Sequence, residues 1–386
     1  GYIRISWLYW LIETNIWIGF LLFLAFYLGF HLLFRSLVNA LAVKAGISRW
    51  RSRVHQRRAL HHTRRGLLEY AEGNWKKAQR HLAAAAESSE APLINYLAAA
   101  QAANEIGDEK ASDQLLQRAY EKTPEGEVAI GVTQAQLQLA RGANEKALST
   151  LLRLRRRAPQ HPFVLKLLMT VYQRLGDWQQ LATLLPDLAK AGVVKEEDYQ
   201  RVQRDTWEHL LQHSAEESLR KPDRHNPTGL INSLWERVPL GLQKDEVIVG
   251  TYAEALRKLG ANGHAAKVLQ DALRQAWSER LVLALGNLPT ENGAEQLASA
   301  ETWLKDHGQD PALLLTLGRI CLRNHLWDKA RGYLEASFTY RRRADCAAEL
   351  GRLLLSLGQR EAALSYFDYC VNDLVALPTL PQPENA

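Results

Sequence analysis

A short signature returns along this 386-residue chain at a nearly constant interval. It consists of a glycine, a small or polar residue, often a tryptophan, and then a small or apolar residue five positions after the glycine. Gly73-Asn74-Trp75 leads to Ala78, Gly142 to Ala147, Gly176-Asp177-Trp178 to Leu181, Gly260 to Ala265 and Gly358 to Ala363. Gly107-Asp108 with Ser112, and His325 with Trp327 and Ala330, are weaker copies. The aligned positions step by 34, 35, 34, 84, 65 and 33 residues. Units this short cannot bury an apolar face alone, so they must stack on copies of themselves.

The interval of 34 is that of a tetratricopeptide (TPR) helix–turn–helix. Four and seven residues beyond the aligned position come Leu82 and Ala85, Leu116 and Ala119, Leu151 and Leu154, Leu269 and Ala272, and Phe367 and Cys370, all on one helical face. Glycine ends the first helix, and the small residue lets the second approach closely. Pro124 and Pro159 close their repeats. The step of 65 is nearly two repeats, with a degenerate copy around Leu297, whereas 84 is too long for one. Residues 193–246 therefore hold a divergent helical insertion, broken at Lys221-Pro222-Asp223-Arg224-His225-Asn226-Pro227.

Residues 16–34 are nineteen positions without a charge and span about 28 Å as a helix, close to a bilayer's apolar thickness. Trp7, Trp10 and Trp17 crowd the N-terminal side as an interfacial belt. No Asp or Glu occurs between Glu13 and Glu69, while residues 35–65 hold nine Arg and Lys. The net charge of +6 is therefore local, since the remainder without those nine is −3, and a general nucleic-acid-binding surface is excluded. The positive-inside rule places the rest of the chain in the cytoplasm. His31 is expected to reach the headgroups as an amphipathic side chain.

The fold class expected is all-α, an N-terminal transmembrane helix followed by a TPR (αα-hairpin) superhelix. Its parts are 1–14, a periplasmic connection; 15–35, the membrane helix; 36–61, a basic juxtamembrane helix; 62–192, an N-terminal array of about four repeats; 193–246, the insertion; 247–374, a C-terminal array of about four repeats, one degenerate; and 375–386, a flexible tail marked by Pro378, Pro381 and Pro383.

No nucleophile–base pattern, phosphate loop or dinucleotide-binding glycine fingerprint occurs, so no catalytic residue is assigned and the chain is expected not to be an enzyme. Cys321, Cys346 and Cys370 have no metal-ligand spacing, and no metal site is expected; they are read as small buried hydrophobes. Trp75, Trp178 and Trp327 recur at one repeat position and are expected in the core. A TPR array takes its partners on the face made by the first helix of each repeat. Counting back from the aligned positions puts Lys166, Arg174, Arg257, Arg319, Arg323 and Arg352 there, where arginine forks onto carboxylates of an acidic peptide or onto porphyrin propionates. Past the membrane stand His55, His61 and His62 with Arg57 and Arg58. His55 and His62 share a helical face and are candidate haem ligands, but lipid headgroups are the favoured contact for this basic group.

Particular blocks carry a resemblance. They are Gly1-Tyr2-Ile3, Ile12-Glu13-Thr14, Leu68 to Trp75 (LEYAEGNW), Asn95-Tyr96-Leu97 with Ala99-Ala100, Gly107-Asp108-Glu109, Leu137 to Arg141, and Arg280 to Leu283. The most specific runs from His161-Pro162 through Val164-Leu165, Tyr172, Arg174, Gly176, Trp178, Leu181, Pro186 and Lys190-Ala191 to Val193. With the Arg-rich exit, nearly the whole chain resembles the HemY family of protohaem IX biogenesis proteins, inner-membrane TPR proteins of proteobacteria. This family is distinct from the flavoprotein protoporphyrinogen oxidase that shares the name.

The resemblance implies a further membrane helix before Gly1 and a role in late haem synthesis, holding enzymes such as ferrochelatase at the bacterial inner membrane with the repeats in the cytoplasm. The expected partners are membrane lipid and proteins, with no nucleic acid. No resident cofactor is expected. Two alternatives stand beside this scaffold: a carrier that takes haem or porphyrin as a transient ligand, and a TPR adaptor for another envelope assembly process.

Overall fold

The computed structural model describes residues 2–7, 10–221, 226–289 and 292–374, with side chains described at 15–36, 56–221, 226–289 and 292–370. The expected tail, 375–386, lies outside the described residues. An antiparallel strand pair opens the chain, β1 (Tyr2–Trp7) against β2 (Trp10–Asn15), with Ile3 opposite Thr14 and Ile5 opposite Ile12. β-Branched residues at these positions suit extended backbone, and among the described residues this is the only departure from an all-helical chain.

Helix α1 (Ile16–Ala71) comes next, its first turn capped by the Asn15 side chain, which accepts the Trp17 N–H at 3.3 Å. Its first part, Ile16–Ser36, is long and apolar enough to cross a membrane. Among the described residues nothing covers it: Phe23 is 68%, Phe26 73% and Leu33 74% exposed. The last turns of the same helix pack against α2 (Trp75–Ala86) as the first helix of a repeat. Gly66 permits that approach, since a Cβ there would stand 2.7 Å from Leu82 Cγ. One unbroken helix is thus both candidate membrane span and first repeat helix.

Two compact units divide the chain, Gly1–Val171 and Tyr172–Ala386. In the first, the α1–α2 hairpin is followed by α3 (Pro92–Glu105) with α4 (Glu109–Lys122), and α5 (Glu127–Ala140) with α6 (Asn144–Arg157). The unit boundary falls within α7 (Pro162–Leu175). The second unit contains α8 (Trp178–Ala191), a long α9 (Glu196–Arg220) packed by a short α10 (Gly229–Trp235), and α11 (Glu246–Lys258) with α12 (Asn262–Gln275). A shortened pair comes next, α13 (Glu279–Gly286) and α14 (Gly293–Glu301), then one turn, α15 (Leu304–His307). It ends with α16 (Pro311–Arg323) and α17 (Trp327–Tyr340), and α18 (Ala344–Ser356) and α19 (Arg360–Leu374). Residues 193–246 therefore contribute a helix pair of unequal lengths, and Leu297 is buried on the shortened one.

The recurring glycine has a clear conformational task. Gly73, Gly107, Gly142, Gly176, Gly260 and Gly358 take φ between 67° and 84°, the left-handed region that ends a helix. The next residue donates its N–H to the carbonyl five back, as in Asn74 to Glu69 at 2.8 Å, Ala143 to Gln138 at 2.8 Å and Gln359 to Leu354 at 2.9 Å. The weak copy keeps this geometry without its glycine: His325 sits at φ 59°, and Leu326 donates to Cys321 at 3.0 Å. Beyond each turn, Ala78, Ala147, Ala265 and Ala330 are fully buried. The Ser112 hydroxyl shows how close the paired helices come, donating to the Ala100 carbonyl at 2.9 Å.

Because a left-handed residue with a Cβ costs roughly 1–2 kcal/mol, offset in part by glycine's greater unfolded-state freedom, His325→Gly is expected to stabilise the chain by about 0.5 kcal/mol. Gly358→His at the equivalent position is expected to destabilise it by a similar amount. Urea unfolding of the two variants beside wild type checks the opposite signs.

Candidate functional site

The first-helix face of the second unit carries a cleft of ≈ 450 Å³ walled by α13, α16 and α18. Arg319, Arg323 and Arg352 all line it, together with Glu349, Trp327 and Leu353. Arg319 and Arg323 belong to α16, four residues apart and so on one face, while Arg352 is presented by α18. Trp327, expected in the core, is 43% exposed and forms part of this wall, because the turn that starts α17 leaves its indole beside the cleft.

The three arginines are not equivalent. Arg319 is nearly buried and bridges α16 to α18, its Nε donating to Glu349 Oε1 at 2.7 Å and its Nη2 to Asp345 Oδ2 at 3.4 Å. Asp345 is shared with Arg343, whose Nε lies 2.9 Å from Oδ1. Burial raises the Glu349 carboxyl against the opposing pull of Arg319, and its buried Oε2 accepts no hydrogen bond among the described residues. Arg323 donates from Nη1 to the Gly286 carbonyl at 2.7 Å, capping the C-terminal end of the shortened α13. Arg352 is exposed and, among the described residues, makes no hydrogen bond or ion pair. As docking cations, Arg319 and Arg323 are therefore already engaged, for a reason that position in the repeat does not reveal: the acids and the carbonyl that hold them come from neighbouring repeats.

The other predicted residues lie elsewhere. Lys166 and Arg174 are exposed on α7, one in each unit, and Arg257 on α11 is held in a two-pronged ion pair by Glu254 at 2.6 and 2.7 Å. That hydrogen bond lowers the Glu254 carboxyl and raises the Arg257 guanidinium. Arg57 lines a groove of ≈ 580 Å³ between α1 and α3, beside Leu60, Leu67 and Ile94. Arg58 is exposed on the next α1 position. Counted along α1, Arg57 stands 21 residues past Ser36, which is about 32 Å of helix. The His55 side chain lies outside the described residues.

His62 finds a partner that helical spacing within α1 did not suggest. Its ring stacks on His81 of α2 with centroids 5.5 Å apart, and the two Nδ1 atoms are 3.2 Å from each other. His61 stands edge-on to His62, with centroids 6.1 Å apart. Partial burial, then Arg65 and His62, hold the His81 ring below its ordinary 6.5, with Arg80 adding to that and Glu69 opposing. The cysteine reading holds for two of the three: Cys321 and Cys346 are fully buried, and desolvation pushes both thiols up to about 11, whereas Cys370, near the end of the last helix, is half-buried.

The family description "HemY protein N-terminus" matches residues 1–107. Protein HemY of Escherichia coli K12 is 29% identical over 275 residues, covering 71% of this chain and 67% of that protein, and Protein HemY of Shigella flexneri gives the same figures. Over these stretches the chain is similar to the HemY family. Among solved structures, a tetratricopeptide repeat protein from Parabacteroides merdae is similar at 13% identity over 68% of this chain and 98% of that one, with a TM-score of 0.29. The complex "TPR2AB-domain:pHSP90" of yeast Sti1 matches at 12% identity over 72% and 98%, with a TM-score of 0.34. Such loose superposition adds nothing to a TPR fold that the chain's own hairpins establish. The chain is thus a helical-repeat protein with a candidate membrane span at its N-terminal end.

Two outcomes are expected from the geometry. Removing Arg319 leaves Asp345 and Glu349, one turn apart on α18, without the guanidinium that ties them to α16, so Arg319→Ala is expected to cost about 2 kcal/mol in chemical unfolding, whereas Arg352→Ala leaves stability within about 0.5 kcal/mol. Folding lowers the His81 pKa, so the unfolded chain binds more protons: the contribution is complete above 6.5 and is lost as pH falls through that value. The urea midpoint should drop between about pH 7.5 and pH 5.5, and His81→Gln should remove part of that drop.

Proposed function

We propose that this chain is a non-enzymatic docking platform, anchored in the bacterial inner membrane by α1 with its repeats in the cytoplasm, that gathers enzymes of late haem synthesis such as ferrochelatase. Similarity to the HemY family supports the haem assignment, and the acid-free basic run after the apolar span supports the orientation. The observation that carries the docking reading is the cationic cleft at α13, α16 and α18. There an uncommitted Arg352 stands beside an exposed indole and two arginines that keep the surface positive.

Such a cleft suits a short acidic segment of a partner protein. The fork of Arg352 takes a carboxylate, and Trp327 and Leu353 cover an adjoining apolar side chain. Arg319 and Arg323 contribute charge and shape while their hydrogen bonds stay within the chain. Arg174 and Arg257 are secondary contacts on the second unit, and Lys166 is one on the first. The basic residues closest to the span meet anionic headgroups, and no resident cofactor is needed.

The test is affinity purification of the full chain from solubilised membranes, followed by mass spectrometry. Wild type is expected to enrich ferrochelatase or another haem-synthesis enzyme, and Arg352→Glu to lower that recovery about 10-fold at unchanged thermal stability. Equal recovery from both proteins would show that the cleft is not the docking surface. Recovery of envelope-assembly factors alone would overturn the haem role.

A further inference from the structure

We propose that His62 and His81 together bind one late first-row transition-metal ion, Zn²⁺ being the representative case, through their two Nδ1 atoms. The inference is independent of the docking cleft. The two histidines are 19 residues apart and come from different helices, yet their Nδ1 atoms approach to 3.2 Å. Two ring nitrogens this close carry opposed lone pairs unless a proton or a metal ion lies between them. With Zn–N bonds of about 2.0–2.1 Å and a tetrahedral angle, two coordinated nitrogens stand about 3.3 Å apart, so the observed separation fits shared coordination.

Imidazole nitrogen suits Zn²⁺, Ni²⁺ and Cu²⁺. Both side chains are half-buried: the protein fixes the two donors while solvent reaches the remaining coordination positions. Among the described residues there is no cluster of three or more His, Cys, Asp or Glu placed for a metal, so water completes the shell and the affinity is moderate. The surrounding charges divide. Arg65 on α1 and Arg80 on α2 oppose a cation, whereas Glu69, which faces His81 from α1, favours one. Protons compete for the same nitrogens, so occupancy falls with acid.

The consequence is mechanical. A bridging ion would pin α2 to the helix that carries the membrane span, stiffening the first hairpin where the repeats join the anchor. Ligand binding to the folded form alone raises its stability. In untagged full chain purified in detergent and freed of metal, calorimetric titration with Zn²⁺ at neutral pH is expected to show one saturable site per chain and a rise in thermal midpoint. His62→Gln and His81→Gln should each weaken binding at least about 10-fold and abolish the rise, while His61→Gln should change neither. Absence of saturable binding, or binding that survives both single variants, overturns the proposal. Because a variant can lose its fold, the unmodified protein supplies a second readout: the electron paramagnetic resonance spectrum with one equivalent of Cu²⁺ should show coupling to two imidazole nitrogens, and a spectrum without imidazole coupling also overturns it.

Discussion

Everything downstream of the apolar N-terminal segment depends on how closely two helices approach within one hairpin. A fully buried alanine at the aligned position brings the second helix against the first, and the left-handed residue before it turns the chain sharply enough for contact to begin at once. Neither device suffices alone. Without the turn, the apolar stripe of the second helix would face away from its partner; with a larger residue at Ala78 or Ala265, the stripes would be held apart and Leu82 or Leu269 would no longer be buried. A single hairpin still leaves an apolar flank uncovered, which is why the motif must repeat and why the side chains that tie neighbouring repeats together matter as much as those within one.

Those ties explain the unequal behaviour of the basic residues. An arginine on a first helix can reach the next repeat as readily as it can reach a partner. Arg319 does so toward Glu349 and Asp345, and Arg323 reaches back to the end of α13. The shortened pair α13–α14 leaves a helix end unprotected, and a guanidinium from the following repeat covers it. Where the repeat is irregular, charge is recruited for structure. Arg352 escapes this use and remains available, although its field is felt by Glu349. The cleft thus consists of a structural layer that sets its shape and potential and one cation free to exchange partners.

Much of this was legible in the sequence because helical repeats write the same local physics many times. The interval near 34, the glycine turns, the buried aligned residues and the buried thiols needed no knowledge of distant contacts. The apolar span was equally legible from length and lack of charge. What escaped depends on which repeat faces which. His62 with His81, Arg319 with Glu349 and Arg141 with Asn104 are separated by 19, 30 and 37 residues, and repeat position alone does not say whether two side chains so placed turn toward each other. Trp327 was misplaced for a related reason. It shares a repeat position with Trp75 and Trp178, which lean on Tyr70 and His209, but its own neighbour is the exposed His325 that replaces the usual glycine.

The continuity of α1 has a mechanical implication that neither half of the chain has by itself. A helix resists bending and transmits rotation about its axis, so a first repeat helix that also carries the apolar span fixes the azimuth of the first hairpin relative to that span, whereas a flexible linker would leave it free. The side chains at that junction then set more than local stability. Gly66 admits Leu82, Glu69 lies within ion-pair reach of Arg65 and Lys77, and His62 meets His81, all where α2 docks onto the helix that carries the span. Loosening that contact would free α2 from α1, opening the first hairpin while leaving the helix that carries the apolar span in place. Control over the presentation of this unit's first repeats is thus concentrated in a few residues of one interhelical seam.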